Sequence, residues 1–161
     1  MPWLGRVFLA TFALTLAIPA GALTLGAGVL LDPAFRETLG RLGLVGLFAG
    51  LTDLAQGLPP DMAAMAALAF VQALGLLLIL PPVLSALLGE TLGLRSFVWY
   101  GGTAGTLMAL LPWLARGGPP PNTAAAGAEA RLTTLLLVTG ATSGFVYWLI
   151  AGRSAGSRSP R

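Results

Sequence analysis

A chain of 161 residues has the length of one small domain, but 56% of its residues are hydrophobic, only 9% are charged, and its mean hydropathy is +0.84. A water-soluble domain carries about 25% charge to cover its surface, so this composition excludes an ordinary soluble globule and requires lipid as solvent. The net charge of +3 comes from nine scattered arginines against six acids, a pattern of membrane topology and not of a nucleic-acid surface.

The first element is the uncharged run of 25 residues from Val7 to Leu31. As a helix it reaches about 37 Å, enough to cross a ~30 Å hydrocarbon core with some tilt. Pro19 is a kink site. Arg6, Val7–Ile18 and Ala20-Gly21-Ala22 also fit a signal peptide cleaved after Ala22. The apolar run continues beyond that point, which favours an uncleaved anchor. Asp32-Pro33 then opens a second helix, with Asp suited to the N-cap and Pro to the first turn. It runs to Gln56, before Gly57-Leu58-Pro59-Pro60, and its crossing is expected over 38–57. Its uncharged core, Leu42 to Thr52, rises only about 16 Å, so a re-entrant or interfacial helix is the alternative.

Asp61 caps the third helix, Met62 to Leu88, where Pro81-Pro82 is a bend site that a bundle can absorb. Glu90 to Ser96 reads as a short polar connection. Phe97 to Leu114 is the next span, 18 residues without charge. Arg116-Gly117-Gly118-Pro119-Pro120-Pro121 is a stiff extended loop. Asn122 or Thr123 caps the last helix, which crosses as the 20-residue uncharged run Leu132–Ala151. Residues 153–161 read as a disordered basic tail. No period-two alternation suggests a barrel. The expected fold is all-α: one transmembrane helical bundle over 1–152 with four to five helices, five favoured, spanning about 7–31, 38–57, 62–88, 97–114 and 132–151.

With five crossings, one face of the membrane carries Arg36, Arg41, Arg95, Arg153, Arg158 and Arg161, and the other Arg6, Arg116 and Arg131. Six against three places the C-terminus in the cytoplasm. If 33–56 does not cross, Arg6, Arg95, Arg153, Arg158 and Arg161 share a face and the tail stays cytoplasmic. Trp99, Tyr100, Trp113, Tyr147 and Trp148 sit at span ends as an interfacial aromatic belt should.

The sequence contains no His, Cys or Lys. Imidazole bases, thiolates, Schiff-base lysines and the usual metal sites are therefore absent, so no enzyme activity and no cofactor are expected. Asp53 and Gln56, three apart, share a helix face, and with Gln72 they are the candidate transport path. The favoured reading is plainer: Asp53 ends a short span, and Gln72 hydrogen-bonds to a neighbouring helix. Asp61 is read as a cap only, and Glu129 and Arg131 as a solvated turn. Three Gly-x-x-x-Gly pairs, Gly46/Gly50, Gly101/Gly105 and Gly140/Gly144, permit close helix approach, although 22 glycines produce several such spacings by chance. Glu90 and Arg95 flank one tight connection and are expected to pair as interface anchors, with Arg153 anchoring the final helix.

The C-terminal half carries a resemblance. Pro81/Pro82, Gly89-Glu90, Arg95-Ser96, Tyr100 and Gly101-Gly102 are followed by Gly144 and then Tyr147-Trp148-Leu149-Ile150-Ala151-Gly152-Arg153-Ser154-Ala155-Gly156. The pattern resembles a family of small, uncharacterised multi-span inner-membrane proteins, mostly alphaproteobacterial, that end in Tyr-Trp-x-x-Ala-Gly-Arg-x-Ala-Gly. The resemblance implies about four spans, an inner-membrane location and no established activity. The functional expectation is a non-catalytic structural, assembly or interaction component of the bacterial inner membrane. Its partners would be the bilayer and either a second copy or another membrane protein. A small oligomeric transporter or channel subunit is the alternative.

Overall fold

A computed structural model describes residues 2–37, 52, 61–117 and 123–154. Four long helices dominate: α1 (Pro2–Leu31), α2 (Asp61–Leu92), α3 (Phe97–Arg116) and α4 (Thr123–Ile150), followed by a 3-10 turn at Gly152–Ser154. No strand occurs among the described residues, and the fold is all-α. Three helical stretches, Leu4–Leu31, Val71–Leu92 and Ala126–Ile150, are long and apolar enough to cross a membrane, and Phe97–Leu111 is a shorter apolar helix. The helix continues through Pro19 in α1 and through Pro81 and Pro82 in α2. The missing N–H groups therefore do not end these elements, as membrane bundles allow. The crossing expected over 38–57, together with Gly46, Gly50, Asp53 and Gln56, lies outside the described residues.

The chain divides into two compact units, Met1–Leu25 with Leu77–Arg161, and Gly26–Leu76. In the smaller unit, Asp32 caps a new helical turn: its Oδ1 accepts the Ala34 N–H at 2.8 Å, and 33–37 are helical. Asp-Pro therefore starts the element by the expected cap chemistry.

In the larger unit the α2–α3 connection is shorter than expected. Gly93 takes a left-handed φ of 66°. The Leu94 N–H reaches back to Gly89 O at 2.9 Å, and Gly93 N–H to Glu90 O at 3.3 Å. This pair of bonds is a Schellman C-cap, which needs glycine at the left-handed position. Of the two glycines in Gly89-Glu90-Thr91-Leu92-Gly93, the second stops the helix. Glu90 is consequently a helical residue in the last turn of α2, which corrects the expectation that it lies in the loop. At the other end of α3, Gly117 caps with φ 71° and its N–H on Trp113 O at 3.1 Å.

Most residues inside the larger unit are small or polar, with Met108 and Leu136 as large apolar exceptions. Ala13 and Ala17 of α1, Ala86 of α2, Ala104 of α3 and Ala151 after α4 are buried, along with Ser85, Thr139, Ser143 and the full side chains of Tyr100 and Tyr147. The outside is the reverse: Phe8 is 77% exposed, Leu23 74% and Leu114 75%. In water the large aliphatic groups would be the buried ones. This inversion is what a bilayer demands, since lipid solvates leucine as well as a core does and helices associate through small residues instead.

The α3–α4 seam has the closest approach. A Cβ at Gly140 would lie 2.5 Å from Ala104 O, one at Gly105 would lie 2.7 Å from Leu137 O, and one at Gly144 would run into the carbonyl of Tyr100. Gly101 is looser, 3.3 Å from Ala141 O. The pairs Gly101/Gly105 and Gly140/Gly144 thus face each other across one seam within the chain. On α1, Gly21 meets α4 at 3.2 Å from Ser143 Cβ, continuing the four-residue spacing of Ala13 and Ala17 along one helix face.

Candidate functional site

A cluster of charged and aromatic side chains of the larger unit gathers around the last turn of α2, with Arg6, Glu90, Tyr100 and Tyr147 at its centre. The Glu90 carboxylate accepts Arg6 Nε–H at 2.6 Å through Oε2 and the Tyr147 hydroxyl at 3.3 Å through Oε1. Both side chains of the ion pair are partly shielded, with 33% of Arg6 and 18% of Glu90 exposed. The sequence pattern suggests Arg95 as the partner of Glu90; the ion pair found here is with Arg6, from the start of α1. The physical reason is the Schellman cap, which keeps Glu90 on the helix and turns it toward the α1 and α4 faces and away from its own connection.

Tyr100 and Tyr147 lie beneath this pair with ring centroids 5.3 Å apart and planes inclined by 35°. Tyr100 donates its hydroxyl to Leu94 O at 3.1 Å, and its own carbonyl accepts Ser85 Oγ–H at 3.1 Å. Glycines flank its ring: a Cβ at Gly89 would come to 2.5 Å of Cζ, and one at Gly152 to 2.9 Å of Cε2. Both tyrosines are buried. Their rings therefore face the inside of the bundle and not its exterior. Each hydroxyl has a partner at this end, so the rings can sit inside the bundle without an orphaned donor.

A second cluster lies on the exposed side of the same end. Trp148 donates Nε1–H to Arg95 O at 2.7 Å. Its ring packs with Phe145 at 5.7 Å and edge-on with Phe97 at 5.8 Å. The Arg153 guanidinium lies 5.1 Å from its centroid, close enough for a cation–π contact. Arg153 is held in the 3-10 turn Gly152–Ser154, and the rest of the expected tail, 155–161, lies outside the described residues. Trp113 is 49% exposed at the far end of α3, whereas Trp99 is half-buried.

These residues form two arrangements, an internal polar lock and an aromatic corner carrying arginines. Gln72 belongs to neither and is exposed on α2. Among the described residues no three acidic side chains come together as a metal-holding group. Arg6 and Ser85 carry the lock yet carry no motif, and Gly89 and Gly152 stand in the C-terminal pattern with no role assigned to them by it. Arg6 reads as a topological charge, and only the spacing of Gly89 and Gly152 around the tyrosines hints at their role. The small-residue spacing Ala13, Ala17, Gly21 was legible but is common in such a glycine- and alanine-rich chain. The carboxylate of Glu90 is engaged through both oxygens, and the arrangement joins α1, α2 and α4.

No family model, curated protein or solved structure matches this chain.

Proposed function

We propose that the protein is a small multi-pass component of a bacterial inner membrane that acts by holding a membrane partner in place, without chemistry of its own. The observation that carries this reading is where the polar groups go. Arg6, Glu90 and Tyr147 satisfy one another, and Ser85 satisfies the Tyr100 carbonyl. These polar side chains join helices, whereas the buried hydroxyls of Thr139 and Ser143 make no hydrogen bond among the described residues. What the molecule offers outward is a wide apolar exterior with aromatic and arginine groups at one end. Purification in mild detergent from its native membrane should recover a stoichiometric second polypeptide. A proteoliposome flux that requires Asp53 would overturn the reading in favour of transport.

The Arg6–Glu90 contact also supports a crossing pattern. It sets the start of α1 and the end of α2 at one end of the larger unit. A crossing within 38–57 would put the two on opposite membrane faces. We therefore favour four crossings, by α1, α2, α3 and α4, which agrees with the number implied by the family resemblance. Arg6, Arg95, Arg153, Arg158 and Arg161 then share one side, which the positive-inside bias assigns to the cytoplasm. The chain has no cysteine, so single introduced cysteines report cleanly. Gly5→Cys and Ser154→Cys should react with a membrane-impermeant maleimide only after the cytoplasmic face is opened. Gly117→Cys should react in intact spheroplasts. Labelling of Gly5→Cys from outside would restore the five-crossing pattern.

A further inference from the structure

We propose that α2 is built as a hinge: the stretch from Pro81 to Leu92 is anchored in the bundle, and the arm from Asp61 to Leu74 swings as a helix about Gly75–Leu80. The inference goes beyond the proposed function and rests on α2 itself. Its first basis is a change in packing along one unbroken helix. Pro81, Pro82, Ser85, Ala86 and Gly89 are buried, and three hydrogen bonds fix this part. Ser85 Oγ–H donates to Tyr100 O, and the Glu90 carboxylate accepts Arg6 Nε–H and the Tyr147 hydroxyl. From Met65 to Leu80 none of the residues whose exposure is described is buried, and Met65, Val71 and Leu76 are each more than 60% exposed. The boundary between the two compact units falls between Leu76 and Leu77, inside this same helix.

The second basis is the backbone at the point of change. In an α-helix each carbonyl accepts the N–H four residues further on. For Leu77 and Leu78 those residues are Pro81 and Pro82, which have no N–H to give. Two successive rungs of the helical ladder are therefore missing. Gly75 lies just before them, and nothing stands within 4 Å of its Cβ position, so neither a side chain nor a neighbour stiffens the helix there. Helix bends of more than about 20° concentrate at proline gaps of this kind. In a helix packed along its whole length, neighbours would hold such a gap in one geometry. Here the missing rungs lie one turn before the first buried residue, so the helix is weakest where its packing ends.

The test is double electron–electron resonance on the full-length protein in lipid nanodiscs, with spin labels on introduced cysteines, since the chain has none of its own. Met65→Cys with Leu114→Cys reports the arm, and Leu92→Cys with Leu114→Cys reports the anchored end. All three positions are exposed. Met65 stands about 18 Å of helical rise from Leu77, so a swing of about 20° carries it about 6 Å. The Met65 distance should therefore spread about 6 Å more widely than the Leu92 distance. Pro81→Ala combined with Pro82→Ala restores both N–H groups and should draw the Met65 distribution in to the width of the Leu92 one. Gly75→Ala meets nothing and should narrow it in the same direction. This second variant decides the matter if the buried prolines cannot be replaced without unfolding, which a broadened Leu92 distribution would reveal. Amide hydrogen exchange over 66–74 should stay slow, because the arm swings as a helix. A Met65 distance as narrow as the Leu92 one in the unsubstituted background would overturn the hinge. So would a broad distribution that no folded variant narrows, or fast exchange over 66–74, which would mean that the arm unwinds and does not swing.

Discussion

Gly140→Ala is expected to destabilise the protein by about 3 kcal/mol, the upper end of the ordinary cost of overpacking. The new methyl would meet backbone, Ala104 O at 2.5 Å and its carbonyl carbon at 2.8 Å. A side chain can rotate aside, but a helix carbonyl cannot move without parting α3 from α4. Gly144→Ala should behave alike, because its Cβ would meet the Tyr100 carbonyl that Ser85 also holds. Gly127→Ala is the control with the opposite sign. It is helical and nothing lies within 4 Å of its Cβ position, so alanine should stabilise by up to about 1 kcal/mol through helix propensity alone. Thermal unfolding in detergent, followed by tryptophan fluorescence, measures all three. Equal midpoints for Gly140→Ala and Gly127→Ala would mean that the α3–α4 seam is not as tight as described.

Glu90→Ala should cost about 2 kcal/mol. A solvent-exposed ion pair contributes at most about 1 kcal/mol, and breaking a fully buried one costs about 3–5 kcal/mol. With 18% of Glu90 and 33% of Arg6 exposed, this pair lies between those limits. The carboxylate also accepts the buried Tyr147 hydroxyl, and a buried donor without a partner adds to the penalty. Glu90→Gln should do less harm, about 1 kcal/mol, since it keeps an acceptor for Tyr147 and loses only the charge. In a double-mutant cycle with Arg6→Ala, the combined variant should lose less stability than the sum of the singles. Strict additivity would show that the two side chains do not act as a pair.

Much of the fold was legible because the bilayer imposes a one-dimensional rule. A run without charge long enough to cross must be a helix, and Val7–Leu31 and Leu132–Ala151 obey it; Phe97–Leu114 is helical too, with a shorter apolar stretch. Asp32-Pro33 was legible for a local reason, since capping depends on neighbours in sequence. The end of α2 was not. Gly89 and Gly93 carry the same composition signal, yet Gly93 takes the left-handed conformation while Gly89 stays helical and makes room for the Tyr100 ring. That is a contact between α2 and α3, invisible to spacing. The partner of Glu90 was missed in the same way. Arg95 is five residues away and Arg6 is 84, and proximity in sequence favours the wrong arginine. Tyr147-Trp148 looks like one aromatic anchor, but successive helical residues point about 100° apart, so the phenol enters the bundle while the indole stays at its edge.

The glycine- and alanine-lined interior bears on any attempt to move this protein into water. Repainting the exposed large apolar residues, Phe8, Leu23 and Leu114 among them, with acids and lysines would remove the greasy coat and leave the internal contacts in place. Yet alanine and glycine hide very little hydrocarbon, at about 0.8 kcal/mol for each buried methylene, so the recoloured chain would have almost no aqueous reason to fold. Such a redesign should dissolve readily and fall apart. Cohesion here is borrowed from the surrounding lipid, and a water-soluble analogue would need larger side chains inside as well as charged ones outside.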